Sequence, residues 1–199
     1  MATYPQQVSV RGGKEITLRP AQSGDEDRLI RFFAGQPEED LQYLRHDVKD
    51  PEVIRAWFRD SDPDNVFALL ALHGDTVIGD GTLHRNQRGW SPHVGEVRLV
   101  VAPDWQRQGV GQAILKALVA RAVNTNLEII EAQVLEGQDG ARRAFETLGF
   151  HVEATLKSRA RDRRGRPRDV WILTNDVSEL WKRMEDLITD SEYRPASGA

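Results

Sequence analysis

The segment VGEVRLVVAPDWQRQGVG, from Val94 to Gly111, limits the fold more than any other stretch of the chain. Val94 to Val101 is rich in β-branched residues and predicts a strand. Pro103 ends it, because proline has no N–H to offer a ladder. Gly109 and Gly111 follow, and the apolar stripe Ile114, Leu115, Leu118 and Val119 predicts a helix over 112–123. A strand that runs through a glycine turn into a helix leaves the N–H groups of 107–112 without intrahelical partners. Such a turn is suited to an anion such as a diphosphate, and the glycines let backbone approach a ligand closely. Taken alone, the feature fits an ordinary strand-to-helix connection equally well. A Rossmann turn would need G-x-G-x-x-G, and a triphosphate-binding loop would need G-K-[ST]; neither is present.

The flanking chain is mixed α and β, without the regular βαβα repetition of a doubly wound fold. Residues 1–15 read as a flexible polar arm containing Gly12-Gly13. Ile16 to Arg19 is a short strand stopped by Pro20, and Asp25 is a candidate cap for a helix over 26–34. Pro51 opens a second helix running to about Arg59. Phe67–His73 and Thr76–His84 are strands joined at Gly74-Asp75. Gly79 and Gly81, inside the second of these, imply irregularity or a close backbone approach. Leu127–Leu135 is a strand, and 139–148 a helix ended by Gly149. Phe150–Lys157 and Val170–Thr174 are strands bracketing a charged loop. Asp176 or Ser178 caps a last helix over 176–190, on which Val177, Leu180, Trp181, Met184 and Leu187 recur at helical spacing. Residues 191–199 read as a disordered tail.

With 199 residues, 39% of them hydrophobic, the chain can build one sizeable core. It has no cysteine, so a thiolate nucleophile, a disulfide framework and a Cys-ligated metal are excluded. The five histidines and many carboxylates form no metal-ligand spacing, and no metal is expected. A net charge of -4 gives no reason to expect nucleic acid as a partner. No stretch approaches the roughly 18 apolar residues of a membrane helix. No signal-peptide core opens the chain, so a cytoplasmic protein is expected.

Gln106-Arg-Gln-Gly109-Val-Gly111 resembles the Q/R-x-x-G-x-G/A signature of the GNAT superfamily of N-acetyltransferases. Ala141-Arg-Arg-Ala-Phe145-Glu146-Thr-Leu-Gly149-Phe150 is similar to that family's second landmark, a helix ending in Gly-Phe. One helix and one strand lie between the two landmarks, as in the family. The looser similarity runs from Ile16 to about Thr174. The resemblance implies a mixed α/β acyl-CoA N-acyltransferase fold over 16–175. Its central, mostly antiparallel sheet would splay between the family's fourth and fifth strands and carry helices on its flanks. It also implies acetyl-CoA as donor. The pantetheine arm would pair with the backbone of Leu99, Val100 and Val101. The diphosphate would rest on the amides of Arg107, Gln108, Gly109, Val110, Gly111 and Gln112, and Arg107 could add a charge-assisted contact.

Two positions depart from the family pattern. Gln138 stands where Asn often contacts the cofactor arm, and carries the same amide on a longer stem. Phe145 stands where a Tyr commonly protonates the departing thiolate, and phenylalanine has no proton to give. A base is needed too, since an alkyl ammonium with a pKa near 10 is not nucleophilic. Glu96, a few residues before the cofactor-binding part of its strand, is the first candidate. The alternative is a strand carboxylate paired with Arg98. Asp80 on the preceding strand, His84 and His93 are the further candidates.

Arg159, Arg161, Arg163, Arg164, Arg166 and Arg168 crowd the loop between the last two strands. They suit an acidic partner surface or a carboxylate substrate, or simply a solvated hairpin. No aromatic platform is interleaved with them for nucleic acid. The acceptor expected from the resemblance is an amine-bearing small molecule, an amino acid or a protein lysine, the protein-lysine branch being the most similar. The protein would work as a monomer or homodimer. A non-catalytic acyl-CoA-binding module is the competing class, kept open by Phe145.

Overall fold

The computed structural model describes residues 3–41, 46–60, 62, 64–162 and 164–182. Eight strands form one sheet: β1 (Gln6–Val10), β2 (Lys14–Pro20), β3 (Val66–His73), β4 (Thr76–Arg85), β5 (Val94–Val101), β6 (Ile129–Leu135), β7 (His151–Arg161) and β8 (Pro167–Asp176). Their spatial order is β1-β2-β3-β4-β5-β6-β8-β7. Every neighbouring pair is antiparallel except β5–β6. The helices are α1 (Glu26–Ala34), the single turn α2 (Glu38–Leu41), α3 (Pro51–Asp60), α4 (Val110–Asn124) and α5 (Asp139–Thr147).

The helices divide between the two faces of the sheet because successive strand residues point to opposite sides. On one face, Ile114, Leu115, Leu118 and Val119 of α4 pack on Leu69, Leu83 and Val97 and on Ile130 and Val134 of β6. On the other, Leu29, Phe32 and Phe33 of α1 and Ile54 of α3 pack on Leu70, Leu72 and Val77. Gly79 and Gly81 are explained by close approach. A Cβ at Gly79 would stand 2.8 Å from Ile114 Cδ1, and one at Gly81 would meet Ile114 Cγ2 closer still. The irregularity expected in this strand is a register shift in the β3–β4 ladder, between Ala71 and Leu72.

Three expectations need correction. The arm over 1–15 is not loose throughout. Gln6–Val10 is an edge strand paired with β2 from Gln6↔Leu18 to Val10↔Lys14. Val8 and Val10 alternate with Gln7 and Ser9, so one face of β1 packs against the core. Next, the Asp25 side chain does not cap α1. It is fully buried and takes a bidentate pair from Arg19 at 2.6 and 2.7 Å, a bond from Arg28 at 3.1 Å and the Gln22 amide at 3.0 Å. The Arg19 bonds, against the cost of burial, hold its carboxyl below the usual range. Finally, the charged stretch after Lys157 is mostly strand. The β7–β8 ladder continues to Arg161↔Pro167 and leaves only a tight tip.

Asp176 caps a final helical segment over 177–182, accepting from the amides of Ser178 at 2.8 Å and Glu179 at 3.1 Å. Val177 and Leu180 of this segment are buried in the core. Met184, Leu187 and the expected tail lie outside the described residues.

Candidate functional site

The sheet opens between β5 and β6. These parallel strands pair only at Val94↔Ile129, Gly95↔Ile130 and Glu96↔Glu131. Past Glu96, β5 stays on β4 as far as Gly79↔Val101, while β6 follows β8 to Leu135↔Val170. Each strand thus keeps its antiparallel partner and the two half-sheets diverge. The backbone of Leu99, Val100 and Val101 borders the opening. Leu99 and Val101 send their side chains toward the α4 core, and Val100 packs with the α1–α3 cluster. Gln106 donates its side-chain amide to the Val101 carbonyl at 3.2 Å, closing the end of β5.

The turn after β5 has an unusual backbone. Arg107 (φ 59) and Gly109 (φ 93) are both left-handed, and Gly109 is the N-cap of α4. Left-handed residues placed this close gather amides into an anion-binding concavity. The two glycines serve different ends. Gly109 has open space around it but needs its positive φ, which costs a residue with a Cβ. Gly111 has an ordinary backbone, but a Cβ there would lie 3.3 Å from Leu99 Cδ2. Gln108 and Val110 flank the cap, with Val110 buried, and Gln112 lies exposed in the first turn of α4.

Across the opening, Gln138 stands at the N-cap of α5. Its Oε1 accepts the Leu135 amide at 3.0 Å, so its carbonyl already serves the end of β6 and Nε2 is the group left for a ligand. Phe145 packs edge-to-face on Phe150, with centroids 5.1 Å apart. It anchors α5 to the core and offers no polar group.

The sheet face opposite α4 carries the ionisable residues. The register aligns His84, Glu96, Glu131, Thr174 and His151 in one row across β4, β5, β6, β8 and β7. Glu96 is 21% exposed and bridges Arg98 at 3.0 Å. Glu131 accepts from Gln133 at 2.8 Å, and Thr82 Oγ1 lies 2.9 Å from His84 Nε2. Asp80 shares this face two positions before Thr82, level with Leu70 and Val100. It is 9% exposed, and burial pushes its carboxyl up to about 7. Asp80 and Glu96 are not brought together: Asp80 pairs with Val100, whereas Glu96 pairs with His84. His93 precedes β5, and its carbonyl accepts the amides of Glu128 and Ile129. Among the described residues no group of three or more His, Asp or Glu could hold a metal ion.

The arginine-rich tip stands at the far edge of the sheet, beyond β6. It is organised by buried Asp162, which accepts the amides of Arg164 (2.9 Å) and Arg166 (3.0 Å), Arg166 Nε (2.8 Å) and Arg168 Nη2 (3.1 Å). Burial works against the charge of Asp162, but these donors outweigh it and hold the carboxyl down at about 2. Arg166 and Arg168 are therefore already partnered, while the Arg164 side chain stays exposed. Arg163 lies outside the described residues.

Residues 28–150, more than half of the chain, match the acetyltransferase (GNAT) family. The chain belongs to the GNAT acetyltransferase family. It is 27% identical over 147 residues to the L-amino acid N-acetyltransferase AaaT of Escherichia coli, covering 73% of this chain and 89% of that one. It is 31% identical over 146 residues to a mycothiol acetyltransferase of Nocardiopsis dassonvillei, covering 69% of this chain but only 43% of the relative. The yncA protein of Salmonella typhimurium, solved with acetyl-CoA, superposes with a TM-score of 0.69 at 19% identity, over 81% of this chain and 94% of its own. The splayed, mostly antiparallel sheet is thus the GNAT fold. Among the described residues of this GNAT chain no helix is long and apolar enough to cross a membrane.

Reading the sequence missed Glu131 and Thr174 in the polar row, and the contact of the N-terminal strand region with the turn after β5. The alternation Gln7-Val8-Ser9-Val10 before Gly12-Gly13 was the available signal for β1. Nothing local marks the row, which exists only through strand register.

Proposed function

We propose that this protein transfers the acetyl group of acetyl-CoA to a primary amine by direct attack in a ternary complex. The observation that carries this reading is the opening of the sheet at Leu99–Val101 directly beside the left-handed turn at Arg107–Gly109. An opening with a free strand edge suits a pantetheine arm, and the turn suits its diphosphate. Backbone amides of 107–112 would hold the diphosphate, and Gln138 Nε2 would meet the arm.

The acceptor would approach the face carrying Glu96 and Glu131. Acidic groups there favour an ammonium-bearing molecule, and Glu96 takes its proton before the nitrogen attacks the thioester carbonyl. The C–N bond forms, the C–S bond breaks, the sulfur leaves as thiolate, and the second proton on the nitrogen passes to that thiolate or to water. A thiol with a pKa near 8.5 can leave without a strong acid, so Phe145 in the tyrosine position is compatible with turnover. Asp80 lies on the same face and is the second carboxylate on the acceptor side. An amino acid or other small amine and a protein lysine are the acceptor classes. The relatives' names supply the first, and the similarity of ITLRP and the EVRLVVAPDWQRQGVG run to the protein-lysine branch supports the second.

The test is acetyl-CoA turnover with amino acids, polyamines and lysine peptides, read by mass spectrometry and repeated with Glu96→Gln. Acetylated product is expected, with kcat/KM lowered about 10²–10⁴-fold in the variant and partly restored at high pH. Acetyl-CoA binding without product across the whole panel would instead make the protein a binding module. A variant as fast as wild type at every pH would remove Glu96 from the mechanism.

A further inference from the structure

The turn after β5 is gripped from behind by the N-terminal strand pair. Between β1 and β2, the Arg11 main-chain N–H donates to the Gln108 carbonyl at 2.9 Å. The Arg11 guanidinium donates to the Arg107 carbonyl at 3.4 Å. Lys14 Nζ donates to Gln108 Oε1 at 3.1 Å and lies 4.6 Å from the centre of the Trp105 ring. Gln108 in turn donates to the Asp104 carbonyl, and Trp105 sits against His73 with ring centres 4.9 Å apart.

A trans peptide points its C=O and the following N–H in opposite directions. With the carbonyls of Arg107 and Gln108 drawn toward Arg11, the N–H groups of Gln108 and Gly109 must face away from it, out of the turn. Arg107 also holds a left-handed conformation that a residue with a Cβ rarely adopts. Such a conformation persists only where neighbouring contacts over-determine it. Arg11 supplies such contacts at the Arg107 and Gln108 carbonyls, and Lys14 braces the adjoining Gln108 side chain.

We propose that the β1–β2 turn is a positioning element of the donor site, in which Arg11 and Lys14 lock residues 104–109 with the Gln108 and Gly109 N–H groups aimed at the diphosphate of acyl-CoA. The two cations also raise the local potential for that anion in a chain of net charge -4. This inference rests on the reading of acetyl-CoA as donor.

The test uses the full chain with Arg11→Ala, Arg11→Pro and Lys14→Met. Arg11→Ala keeps the main-chain donor and Arg11→Pro removes it. Val10 already has an extended backbone (φ -112, ψ 178), which a residue before proline requires. Calorimetric Kd for acetyl-CoA is compared with KM for S-acetylpantetheine, which lacks the diphosphate. We expect Kd for acetyl-CoA to rise roughly 10-fold in Arg11→Pro, consistent with losing two hydrogen bonds to the turn, and less in Arg11→Ala and Lys14→Met. KM for S-acetylpantetheine should stay unchanged. Should Arg11→Pro fail to fold, the same split in Arg11→Ala and Lys14→Met carries the test. Unchanged acetyl-CoA affinity in folded variants overturns the proposal. So does an equal loss toward both donors, which would mean general loosening. A wild-type protein that binds no acetyl-CoA overturns the donor reading itself.

Discussion

The β2–α1 junction and the middle of β4 each bury an aspartate, and they hold it in opposite ways. Asp25 is enclosed by Arg19, Arg28 and the Gln22 amide, and its carboxyl is held below the usual range. Asp80, level with Leu70 and Val100, has no such donor among the described residues, and burial lifts its carboxyl to about 7. Burial alone therefore does not tell what a carboxylate does; its donors decide. Asp25 is a fastening that ties the first part of the sheet to α1. Asp80 is a group whose charge can change near neutral pH, on the sheet face proposed for the acceptor. The arginine tip repeats the first arrangement, because Asp162 is gripped as Asp25 is.

The sharpest way to break this comparison is to remove the fastening. Asp25→Ala should cost about 3 kcal/mol, since it strands the partly buried Arg19 without its counter-charge. Denaturant unfolding near pH 7 measures it. Because the folded carboxyl lies below its unfolded value, this stability is present above the unfolded pKa. It should fade as pH falls through the lowered folded pKa, so wild type and variant should converge in acid. A loss below about 1 kcal/mol would make the pair equivalent to a surface ion pair.

Asp80 should behave with the opposite sign. Its folded carboxyl lies above its unfolded value, so the native state holds the proton more tightly. Stability should decline as pH rises from about 4 to about 7 and then level off. Asp80→Asn removes this penalty. The variant should be more stable than wild type at pH 8 by up to roughly 4 kcal/mol, the full value of a shift from about 4 to about 7, with the gap closing below pH 4. Melting curves at the two pH values settle it, and equal stability at both would mean that Asp80 is ionised and solvated.

The smallest effect is expected at the tip. Replacing Arg163, Arg164 and Arg166 with Gln should raise the KM of an acidic amine acceptor only a few-fold, because Asp162 already offsets part of the charge. The increase should shrink in high salt, while acetyl-CoA affinity stays constant. No change in KM at low salt would leave the tip as a solvated hairpin.

The sequence alone determined the strand, proline, glycine turn and helix of Val94–Asn124, the helices at 26, 51 and 139, and the β3–β4 hairpin. Each depends on dihedral preferences and apolar spacing within a few residues, which the local chain encodes. The tertiary structure decided the rest. β1 became a strand because β2 and the α4 core supply its partners, and Asp25 became an ion-pair member because Arg19 lies within reach across the β2–α1 bend. The polar row of His84, Glu96, Glu131 and Thr174 exists only through register, and Arg11 meets Gln108 across some 97 residues of chain. Local propensity cannot say which distant donor faces which carbonyl, nor how much water reaches a carboxylate, and those two facts set the bracing of the 104–109 turn and the raised carboxyl of Asp80.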